Sequence, residues 1–395
     1  MRILLVSQYY YPERFSVSDI AEELVKLGNK VTVLTGKPNY GFHKILDDYK
    51  NVSFETINGV NVHRVNLYPR KLSRLSVIRN YLSFYRNAKR KVNKTEGEFD
   101  IVLTISLSPV ISIAPALKYA KKHNIPCVLY CQDLWPESTV VTGAVRKGSL
   151  LYKALYRWSV NLYKKCSKIV ISSPSFKNYF EEELKIKDKG YPVVYQSIIL
   201  SKGNAKPIEY KNKYNIVYAG NIGKIQLVHE LVDAMKLVKT PDTKLYLMGM
   251  GSESEAIKQR IVNEGLKDKV EYVGPLPIEK AEAYYTNADA LIVSLKNEGT
   301  VGKTIPNKAI QYMKYGRPIF GVIQGDAKAL LEKANGSHFS EENSEKIAQN
   351  LDIFLQKSDK DKAQMGLNNK QYFEANLTNE KLVYLLNEEL RESKK

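Results

Sequence analysis

The strongest constraint in this sequence is an alternation of strand-like and helix-like segments that occurs twice. In the first half, short apolar runs of strand length occur at 3–6, 30–35, 60–65, 101–105, 126–130 and 169–172. The second series has such runs at 216–219, 245–248, 270–273, 290–294 and 318–322. Stretches of helical period separate the runs, and this alternation is typical of parallel sheets with helices on both faces. The sequence therefore predicts an α/β protein with two doubly wound, Rossmann-like domains.

The domain boundaries follow from a break in this pattern. The stretch 201–213 is polar and contains Gly203 and Pro207, which makes it the best linker candidate. We predict an N-terminal domain, a linker, a C-terminal domain and a final helix at 1–200, 201–213, 214–375 and 376–395. Open parallel sheets bind ligands beyond the carboxyl ends of their strands, and two such domains facing each other across a cleft give a common place for substrates.

Positive charge is concentrated in the first domain. The chain has a net charge of +18, and residues 1–190 hold 31 basic and 16 acidic side chains. No acidic residue lies between Glu55 and Glu96 or between Glu137 and Glu181. Both acid-free stretches contain aromatic residues as well as cations. This composition suits an anionic partner such as a membrane surface or a nucleic acid.

One of the acid-free stretches has the pattern of a basic amphipathic helix. Leu75, Ile78, Leu82 and Tyr85 recur at helical spacing. The cations of this helix that we assign to an anionic membrane surface are Arg79, Arg86, Lys89, Arg90 and Lys91. A solvated helix face is the alternative without function. We favour the membrane over nucleic acid because aromatic residues lie among the cations.

Several classes of protein and of site are excluded. No run approaches the roughly 18 apolar residues of a membrane span, and residues 1–6 are interpreted as a strand rather than a signal peptide. The three cysteines match no zinc spacing, and the five histidines show no metal spacing. We therefore expect no metal and no cofactor. No nucleophile elbow is present either.

Three glycine- or lysine-containing segments of the second half suit phosphate groups. Gly220, Asn221, Gly223 and Lys224 follow the strand 216–219, where glycines permit close approach of the backbone to an anion. Gly249 and Gly251 follow the next strand and form a weaker candidate. In the third segment we predict a helix start at Thr304 or Ile305, with Lys303 and Lys308 nearby. Ordinary glycine turns and solvated lysines are the alternative interpretation.

Two segments of the first half have side chains suited to an acceptor substrate. Asp133 and Trp135 follow the strand 126–130, and a carboxylate at such a position can orient or deprotonate a hydroxyl. Glu13, Arg14 and Phe15 lie in the loop after the first strand and suit a sugar. The alternatives are a helix cap at Asp133, a packing tryptophan, and a loop that packs on its own domain.

These residues resemble family 4 retaining glycosyltransferases of the two-domain GT-B fold. The similarity is greatest to the subgroup of bacterial capsule, exopolysaccharide and O-antigen assembly. It rests on SQYYYPERFSVSDIAEELVKLGNKVTVLTGKPNY, CQDLWPES, YAGNIGKIQ, MGMGS, VEYVGPL and TIPNKAIQYMKYGRPI, in family order over about residues 1–335. CQDLWPES and YAGNIGKIQ are the more specific segments.

The resemblance implies a role for each candidate residue. The C-terminal domain would hold a nucleotide-diphosphate sugar, with Gly223 and Lys224 at the diphosphate and backbone near Tyr272 and Val273 at the base. The N-terminal domain would hold the acceptor, and the final helix would return to it. In many relatives two glutamates contact the donor, and Lys303 and Gln311 stand at those positions here. Gln311 can still bond a ribose, and Glu298 is the nearest acid.

The expected function is a metal-independent, retaining transfer of a hexose or N-acetylaminosugar in surface polysaccharide biosynthesis. The donor would be a UDP-sugar and the acceptor a polyprenyl-diphosphate-linked saccharide. Asp133, Lys224 and Glu298 are the candidate catalytic residues. The protein would be cytoplasmic and peripheral on the inner face of the cell membrane, and a partner glycosyltransferase is conceivable. A non-catalytic glycosyltransferase-like subunit is the main alternative, ahead of a nucleotide-sugar epimerase and a nucleic-acid binder.

Overall fold

The computed structural model describes residues 1–71, 73–95, 97–107, 109–199 and 206–394. The chain divides into two compact units. Unit 1 comprises Met1–Ile199 and Asn379–Lys395, and unit 2 comprises Leu200–Thr378. Each unit has its own sheet and its own hydrophobic core. The predicted fold class of two doubly wound α/β domains is confirmed.

Unit 1 is built on a seven-stranded sheet. Its strands are β1 Arg2–Val6, β2 Lys30–Gly36, β3 Phe54–Ile57, β4 Val60–Val65, β5 Ile101–Ser106, β6 Cys127–Cys131 and β7 Lys168–Ile171. They are ordered β3-β4-β2-β1-β5-β6-β7, and only β3 runs antiparallel to its neighbour. Every residue of β5 and of β6 is buried, which is why these strands read as continuous apolar runs in the sequence.

Helices cover both faces of this sheet. They are α1 Val17–Lys26, α2 Arg74–Lys91, α3 Ala114–His123, α4 Glu137–Val141, α5 Leu150–Lys164 and α6 Phe176–Asn178. A 3₁₀ turn over Val110–Ile113 leads into α3, and α6 continues as a π turn over Tyr179–Glu183. Ser73 and Ser149 cap α2 and α5 with their side chains.

Unit 2 has a six-stranded, wholly parallel sheet. Its strands are β8 Tyr214–Ala219, β9 Thr243–Met248, β10 Val270–Gly274, β11 Ala290–Ser294, β12 Ile319–Val322 and β13 Ser337–Phe339, in the order β10-β9-β8-β11-β12-β13. Its helices are α7 Val228–Leu237, α8 Ser254–Asn263, α9 Ile278–Tyr285, α10 Asn307–Met313, α11 Gly325–Ala334, α12 Ser344–Leu355 and α13 Asp359–Asn376.

The last helix, α14 Asn379–Lys394, returns to unit 1. Its Asn387 carbonyl oxygen Oδ1 accepts a hydrogen bond from Asn29 Nδ2 at 2.9 Å, and its Glu389 pairs with Lys168 at 2.6 Å. The Asn379 side chain accepts the N–H of Ile198 and donates to the carbonyl of the same residue. The chain therefore adds its end to the N-terminal fold, as the resemblance implied.

The predicted linker only partly matches the structure. Residues 201–205 of the linker lie outside the described residues. The rest of the linker packs on unit 2, because the Ile208 N–H bonds the Ala283 carbonyl at 3.1 Å and the Tyr210 hydroxyl bonds the Tyr284 carbonyl at 2.6 Å. The structure also adds two short edge strands that the pattern did not indicate, β3 and β13. In the described part of the chain no helix is long and apolar enough to cross a membrane.

Candidate functional site

The glycine-rich loops of unit 2 follow β8 and β9 at the carboxyl edge of the sheet, and the strand order reverses between β8 and β11, beside the first loop. The two loops touch each other backbone to backbone. A Cβ on Gly249 would lie 1.8 Å from the Gly220 carbonyl oxygen, and one on Gly251 would lie 2.2 Å from that of Ile222. Gly249 also has a φ of +125°. Gly249 and Gly251 are therefore required because the backbones of the two loops pack closely against each other.

A buried lysine lies against the first of these loops. The Lys308 ammonium nitrogen is enclosed, has no hydrogen-bond partner among the described residues, and lies 3.9 Å from the centre of the Tyr218 ring. A Cβ on Gly220 would lie 2.8 Å from that nitrogen. Burial lowers the pKa of Lys308 to about 7. Lys308 therefore has a buried amine whose hydrogen bonds are not made by the described residues, and its contact with the donor stays a prediction.

A tyrosine from the same helix fixes the end of β8. The Tyr312 hydroxyl accepts the Ala219 N–H at 2.9 Å and donates to the Ala219 carbonyl at 3.1 Å. The Tyr218 hydroxyl donates to the Asn221 carbonyl at 2.6 Å. These bonds hold the loop and α10 as one assembly. No pattern in the sequence indicated this role for Tyr312.

Lys224 lies on the exposed side of the same loop. It begins a 3₁₀ turn over Lys224–Gln226, and Gly223 precedes it in extended conformation. The Lys224 side chain makes no hydrogen bond or ion pair with any described residue. The Asn221 amide donates to Gln226 Oε1 at 3.0 Å. The loop thus carries an exposed cation at Lys224, whose charge helps to lower the pKa of Glu253, and lies against the enclosed Lys308 at Gly220.

The helix start predicted at Thr304 or Ile305 is wrong. Residues 301–303 form a 3₁₀ turn, and α10 begins only at Asn307 with Pro306 as its cap. The Thr304 N–H and hydroxyl both bond the Val301 carbonyl, at 3.1 and 2.8 Å. Ile305 is buried. The turn therefore uses the groups that were expected to be free for an anion.

The remaining predicted donor residues have mixed environments. Gln311 is half-buried and bonds Tyr315, and Lys303 is half-buried as the last residue of the 3₁₀ turn. Glu298 is exposed and pairs with Lys296 at 2.8 Å, and this pairing lowers the pKa of the carboxyl. An exposed carboxylate whose charge is already paired with a lysine is a poor candidate for a catalytic group. The structure therefore gives no support to the catalytic assignment of Glu298.

The segment predicted to read the base has a bulge. Tyr272 aligns with Leu247 in the register of β10 on β9, and Gly274 aligns with Met248, so Val273 is the additional residue. The strand lies at the edge of the sheet. The Tyr272 hydroxyl donates to the Gly249 carbonyl at 2.8 Å. A bulge on an edge strand redirects backbone groups, which is compatible with the predicted contact to a base.

In unit 1, Glu13 braces a neighbouring loop. Its Oε1 accepts the backbone N–H groups of Asn39 at 2.7 Å and Tyr40 at 2.6 Å, while its buried Oε2 has no partner among the described residues. Burial raises the pKa of Glu13 to about 7 against the effect of these bonds. Glu13 therefore shapes the loop, and direct contact with an acceptor stays a prediction.

Asp133 follows β6 at the carboxyl edge of the unit 1 sheet. Burial raises its pKa to about 7, against the opposing effects of the Ser138 side chain and the Leu134 backbone. Buried side-chain atoms without partners among the described residues occur at the same edge, at Ser7 Oγ, Ser106 Oγ and Gln132 Nε2. A carboxyl group with a raised pKa and unmet bonding groups nearby are typical of a functional edge.

The other predicted acceptor residues differ in accessibility. Trp135 is only 8% exposed and packs in the core of unit 1, so a packing role replaces the predicted acceptor contact. Arg14 is exposed and makes no contact with a described side chain. Phe15 is half-buried and stacks on Tyr9 with ring centres 4.7 Å apart. Of the three, Arg14 and Phe15 remain accessible.

Sequence reasoning missed a cluster around Arg70. Its guanidinium donates to the Tyr9 hydroxyl at 3.1 Å and to the Tyr81 hydroxyl at 2.9 Å, and it lies 5.0 Å from the centre of the Tyr40 ring. The contributing residues are far apart in the chain. The only signal was the position of Arg70 within the first acid-free stretch.

The predicted membrane helix is α2. Leu75, Ile78 and Leu82 are 69%, 51% and 38% exposed, so its apolar stripe has no cover within the described chain. Of the predicted membrane cations, Arg79, Arg86 and Arg90 are exposed, and Lys89 and Lys91 are half-buried. Arg79 also lies near the Tyr68 ring and Lys89 near the Tyr85 ring. The described residues contain no group of three or more His, Cys, Asp or Glu that could hold a metal ion.

The fold of both units agrees with known structures. Sucrose-phosphate synthase from Thermosynechococcus elongatus superposes with a TM-score of 0.76 at 15% identity, over 99% of this chain and 98% of that one. Anabaena HepE in complex with UDP superposes with a TM-score of 0.70 at 13% identity, over 99% and 100%. The class defined by fold is thus the GT-B architecture of two Rossmann-like domains.

Family models match each unit separately. Residues 15–202 match Glycosyltransferase Family 4, and residues 213–357 match Glycosyl transferases group 1. The chain carries both domains of a family 4 glycosyltransferase. A probable glycosyltransferase of Pseudomonas aeruginosa, WbjE, is 25% identical over 242 residues, which are 58% of this chain and 58% of that protein. An uncharacterized glycosyltransferase of Haemophilus influenzae is 22% identical over 88% of this chain and 89% of that one.

Proposed function

We propose that the protein is a retaining glycosyltransferase that uses a UDP-sugar and acts without a metal ion. The observation that carries this proposal is the enclosed Lys308 ammonium under the Gly220 loop, which has no partner among the described residues. An unpaired buried amine is costly unless a ligand supplies its bonds. A diphosphate is the ligand that two lysines at one glycine loop suit best.

The reaction we propose needs no protein nucleophile. The bond between the anomeric carbon and the UDP phosphate breaks while the acceptor hydroxyl attacks the same face of the sugar. The proton of the hydroxyl passes to a departing phosphate oxygen. Lys224 and Lys308 stabilise the negative charge that develops on UDP, which is the electrostatic contribution that usually dominates. Asp133 orients the acceptor hydroxyl.

Lys224→Ala tests this assignment. We expect the affinity for UDP to fall about tenfold to a hundredfold because a charged hydrogen bond to phosphate is lost, and sugar transfer should fall with it. Isothermal titration of UDP and a transfer assay measure the two effects. Lys280→Ala removes an exposed lysine of the same unit on α9 and should change neither. Undiminished UDP affinity and turnover in Lys224→Ala would reject the phosphate role.

For the acceptor we propose a polyprenyl-diphosphate-linked saccharide used in surface polysaccharide biosynthesis at the inner face of the cell membrane. The support is the excess positive charge of the first 190 residues together with the exposed apolar stripe of α2. A helix of this kind lies in the membrane interface with its apolar side in the lipid. The transferred sugar is a hexose or an N-acetylaminosugar.

Charge reversal on α2 tests the membrane assignment. Changing Arg79, Arg86, Arg90 and Lys91 to Glu should lower binding to anionic liposomes by about a hundredfold or more, since each cation contributes about 1 kcal/mol at such a surface. Sedimentation with vesicles of phosphatidylglycerol and phosphatidylcholine measures the binding. The matched control reverses four exposed lysines of unit 2: Lys267, Lys280, Lys333 and Lys360. If only the control loses binding, α2 is not the contact.

A second candidate is a non-catalytic glycosyltransferase-like subunit that supports a catalytic partner glycosyltransferase. The observation in its favour is that Glu298 is exposed and paired with Lys296. Lys303 and Gln311 also stand where the resemblance implies glutamates. Hydrolysis of UDP-sugars in the absence of acceptor separates the two candidates. Slow hydrolysis that depends on Lys224 supports the enzyme, and UDP binding without any turnover supports the subunit.

A further inference from the structure

Arg70 is a half-buried cation without a carboxylate partner. Burial opposes its charge, and among the described residues no acidic side chain lies within ion-pair distance of it. One nitrogen, Nη1, donates to the Tyr9 and Tyr81 hydroxyls, and no described group accepts from Nε or Nη2. Three of the five guanidinium N–H groups are therefore without a protein acceptor.

The surroundings hold this guanidinium in one orientation. It lies over the Tyr40 ring at 5.0 Å and over the Tyr81 ring at 5.5 Å. The Tyr40 ring in turn packs edge-on against Tyr9 and Phe15, with centres 5.3 and 5.1 Å apart. Because the guanidinium is already held in place, its side chain loses little further conformational entropy when an anion binds. This pre-organisation favours tight binding.

The backbone beneath the cluster is fixed as well. The Arg70 N–H donates to Asn39 Oδ1 at 3.0 Å, and the same oxygen accepts from Asn80 Nδ2 at 3.0 Å. Gln8 Nε2 donates to Asn80 Oδ1 at 2.6 Å and thereby joins this network to the end of β1. The arginine therefore stands at the carboxyl edge of the sheet, where doubly wound domains bind ligands.

Arg70 stands at the same carboxyl edge of the unit 1 sheet as Asp133, which follows β6. Tyr81 bonds Arg70, and burial raises the pKa of Tyr81, with a smaller contribution from the charge of Asp133. A ligand on the free side of the guanidinium would therefore bind at the edge that carries the predicted acceptor carboxyl. Of the other cations at this edge, Lys37 bonds the Lys50 carbonyl, and Arg14 is exposed and has no bonds that would orient it.

We propose that Arg70 binds the phosphate or diphosphate group of the acceptor, with its Nε and Nη2 groups directed at two oxygens. The planar fork suits bidentate recognition of phosphate, and the tyrosine hydroxyls on Nη1 leave that edge free. The inference rests on the proposed function, because it assigns the anionic part of the acceptor to a residue. The anion belongs either to a lipid diphosphate or to a soluble phosphate, and both share this chemistry.

The test measures diphosphate binding to unit 1 in the full chain. Saturating UDP first occupies the donor site, and farnesyl diphosphate, inorganic diphosphate or farnesol is then titrated by calorimetry. We expect the wild type to bind farnesyl diphosphate and Arg70→Gln to bind it about tenfold or more weakly. Lys71→Gln removes the neighbouring exposed cation and should bind as the wild type does. Arg70→Lys should recover part of the affinity, since it keeps the charge without the fork.

The outcomes separate the parts of the proposal. Tight binding of inorganic diphosphate that depends on Arg70 supports a soluble phosphate as the source, and binding only of the farnesyl compound supports a lipid. Equal binding of farnesyl diphosphate by wild type and Arg70→Gln overturns the inference, as does equal binding of farnesol and farnesyl diphosphate. Failure of the proposed function looks different, because UDP itself would then not bind. Because UDP is proposed to bind unit 2, folding of unit 1 in Arg70→Gln is checked by its thermal unfolding, which should match that of the wild type.

Discussion

Replacing Lys308 with methionine should stabilise the empty protein and at the same time abolish most of its affinity for UDP. Methionine fills a similar volume under Gly220 and removes a buried amine that has no partner among the described residues. Removing such a group is worth roughly 1–3 kcal/mol in the free energy of unfolding. The diphosphate then loses a charged donor in an enclosed site, where its contribution is greatest. Opposite signs for stability and ligand affinity are typical of a functional residue.

Thermal unfolding with and without UDP measures both effects in one experiment. The wild type should gain stability as UDP is added, since a ligand of the folded state raises the unfolding temperature. Lys308→Met should have a higher unfolding temperature than the wild type without UDP, and this temperature should rise little when UDP is added. The control Lys280→Met, at an exposed position, should behave as the wild type in both respects. A variant that is less stable than wild type yet binds UDP normally would mean that Lys308 is a structural residue.

The pH dependence of the Lys308 effect has a definite sign. Burial lowers the pKa of Lys308 to about 7, whereas the unfolded chain keeps the usual value near 10.4. The unfolded state therefore binds more protons between these two values, and stability rises with pH in that window. The advantage of Lys308→Met should be greatest below pH 7 and should shrink as pH rises towards 10. UDP affinity of the wild type should instead fall above pH 7, as the amine loses its charge.

Asp133→Asn should reduce sugar transfer by roughly a hundredfold or more while leaving UDP affinity unchanged. The amide keeps the shape of the side chain, but it cannot accept the acceptor hydroxyl as a carboxylate does. Burial raises the pKa of Asp133 to about 7, so the active, ionised form accumulates as pH rises through that value. The rate of transfer at low acceptor concentration should therefore rise from pH 6 to pH 8 in the wild type. In Asp133→Asn this rise with pH should be absent.

A matched carboxyl controls for general effects of the substitution. Asp188 is an acidic residue of the same unit whose side chain is 76% exposed, and Asp188→Asn should keep both the rate and the pH profile. If Asp133→Asn transfers sugar at the wild-type rate, Asp133 does not orient the acceptor. If it loses UDP affinity as well, the substitution has disturbed more than the acceptor side.

The fold could be predicted largely from the sequence because buried parallel strands read as apolar runs. Eleven strand candidates coincide with strands of the two sheets. The strands that were missed, β3 and β13, have four and three residues and lie at sheet edges. Short edge strands carry little hydrophobic periodicity, because only part of each strand is buried.

The site was less predictable because its features depend on contacts between distant segments. The glycines at 220, 249 and 251 were identified, but Gly249 and Gly251 are required because one loop packs on the other, and Gly220 because Lys308 lies against it. The enclosure of Lys308 needs Tyr218 from β8, 90 residues earlier in the chain. The helix start was predicted too early because local propensity does not indicate the 3₁₀ turn at 301–303. In this turn the Thr304 N–H and hydroxyl donate to the Val301 carbonyl, so they are not free for an anion.

Transfer of a radiolabelled sugar from a UDP-sugar to a bacterial lipid extract by the purified protein measures the proposed activity itself. We expect label from at least one UDP-hexose or UDP-N-acetylaminosugar to enter the butanol-soluble lipid without added metal. This transfer should fall sharply in Lys224→Ala and in Lys308→Met, whereas Lys280→Ala transfers normally. Undiminished transfer in both lysine variants would reject the diphosphate site, and UDP binding with no transfer from any UDP-sugar would reject the proposed activity.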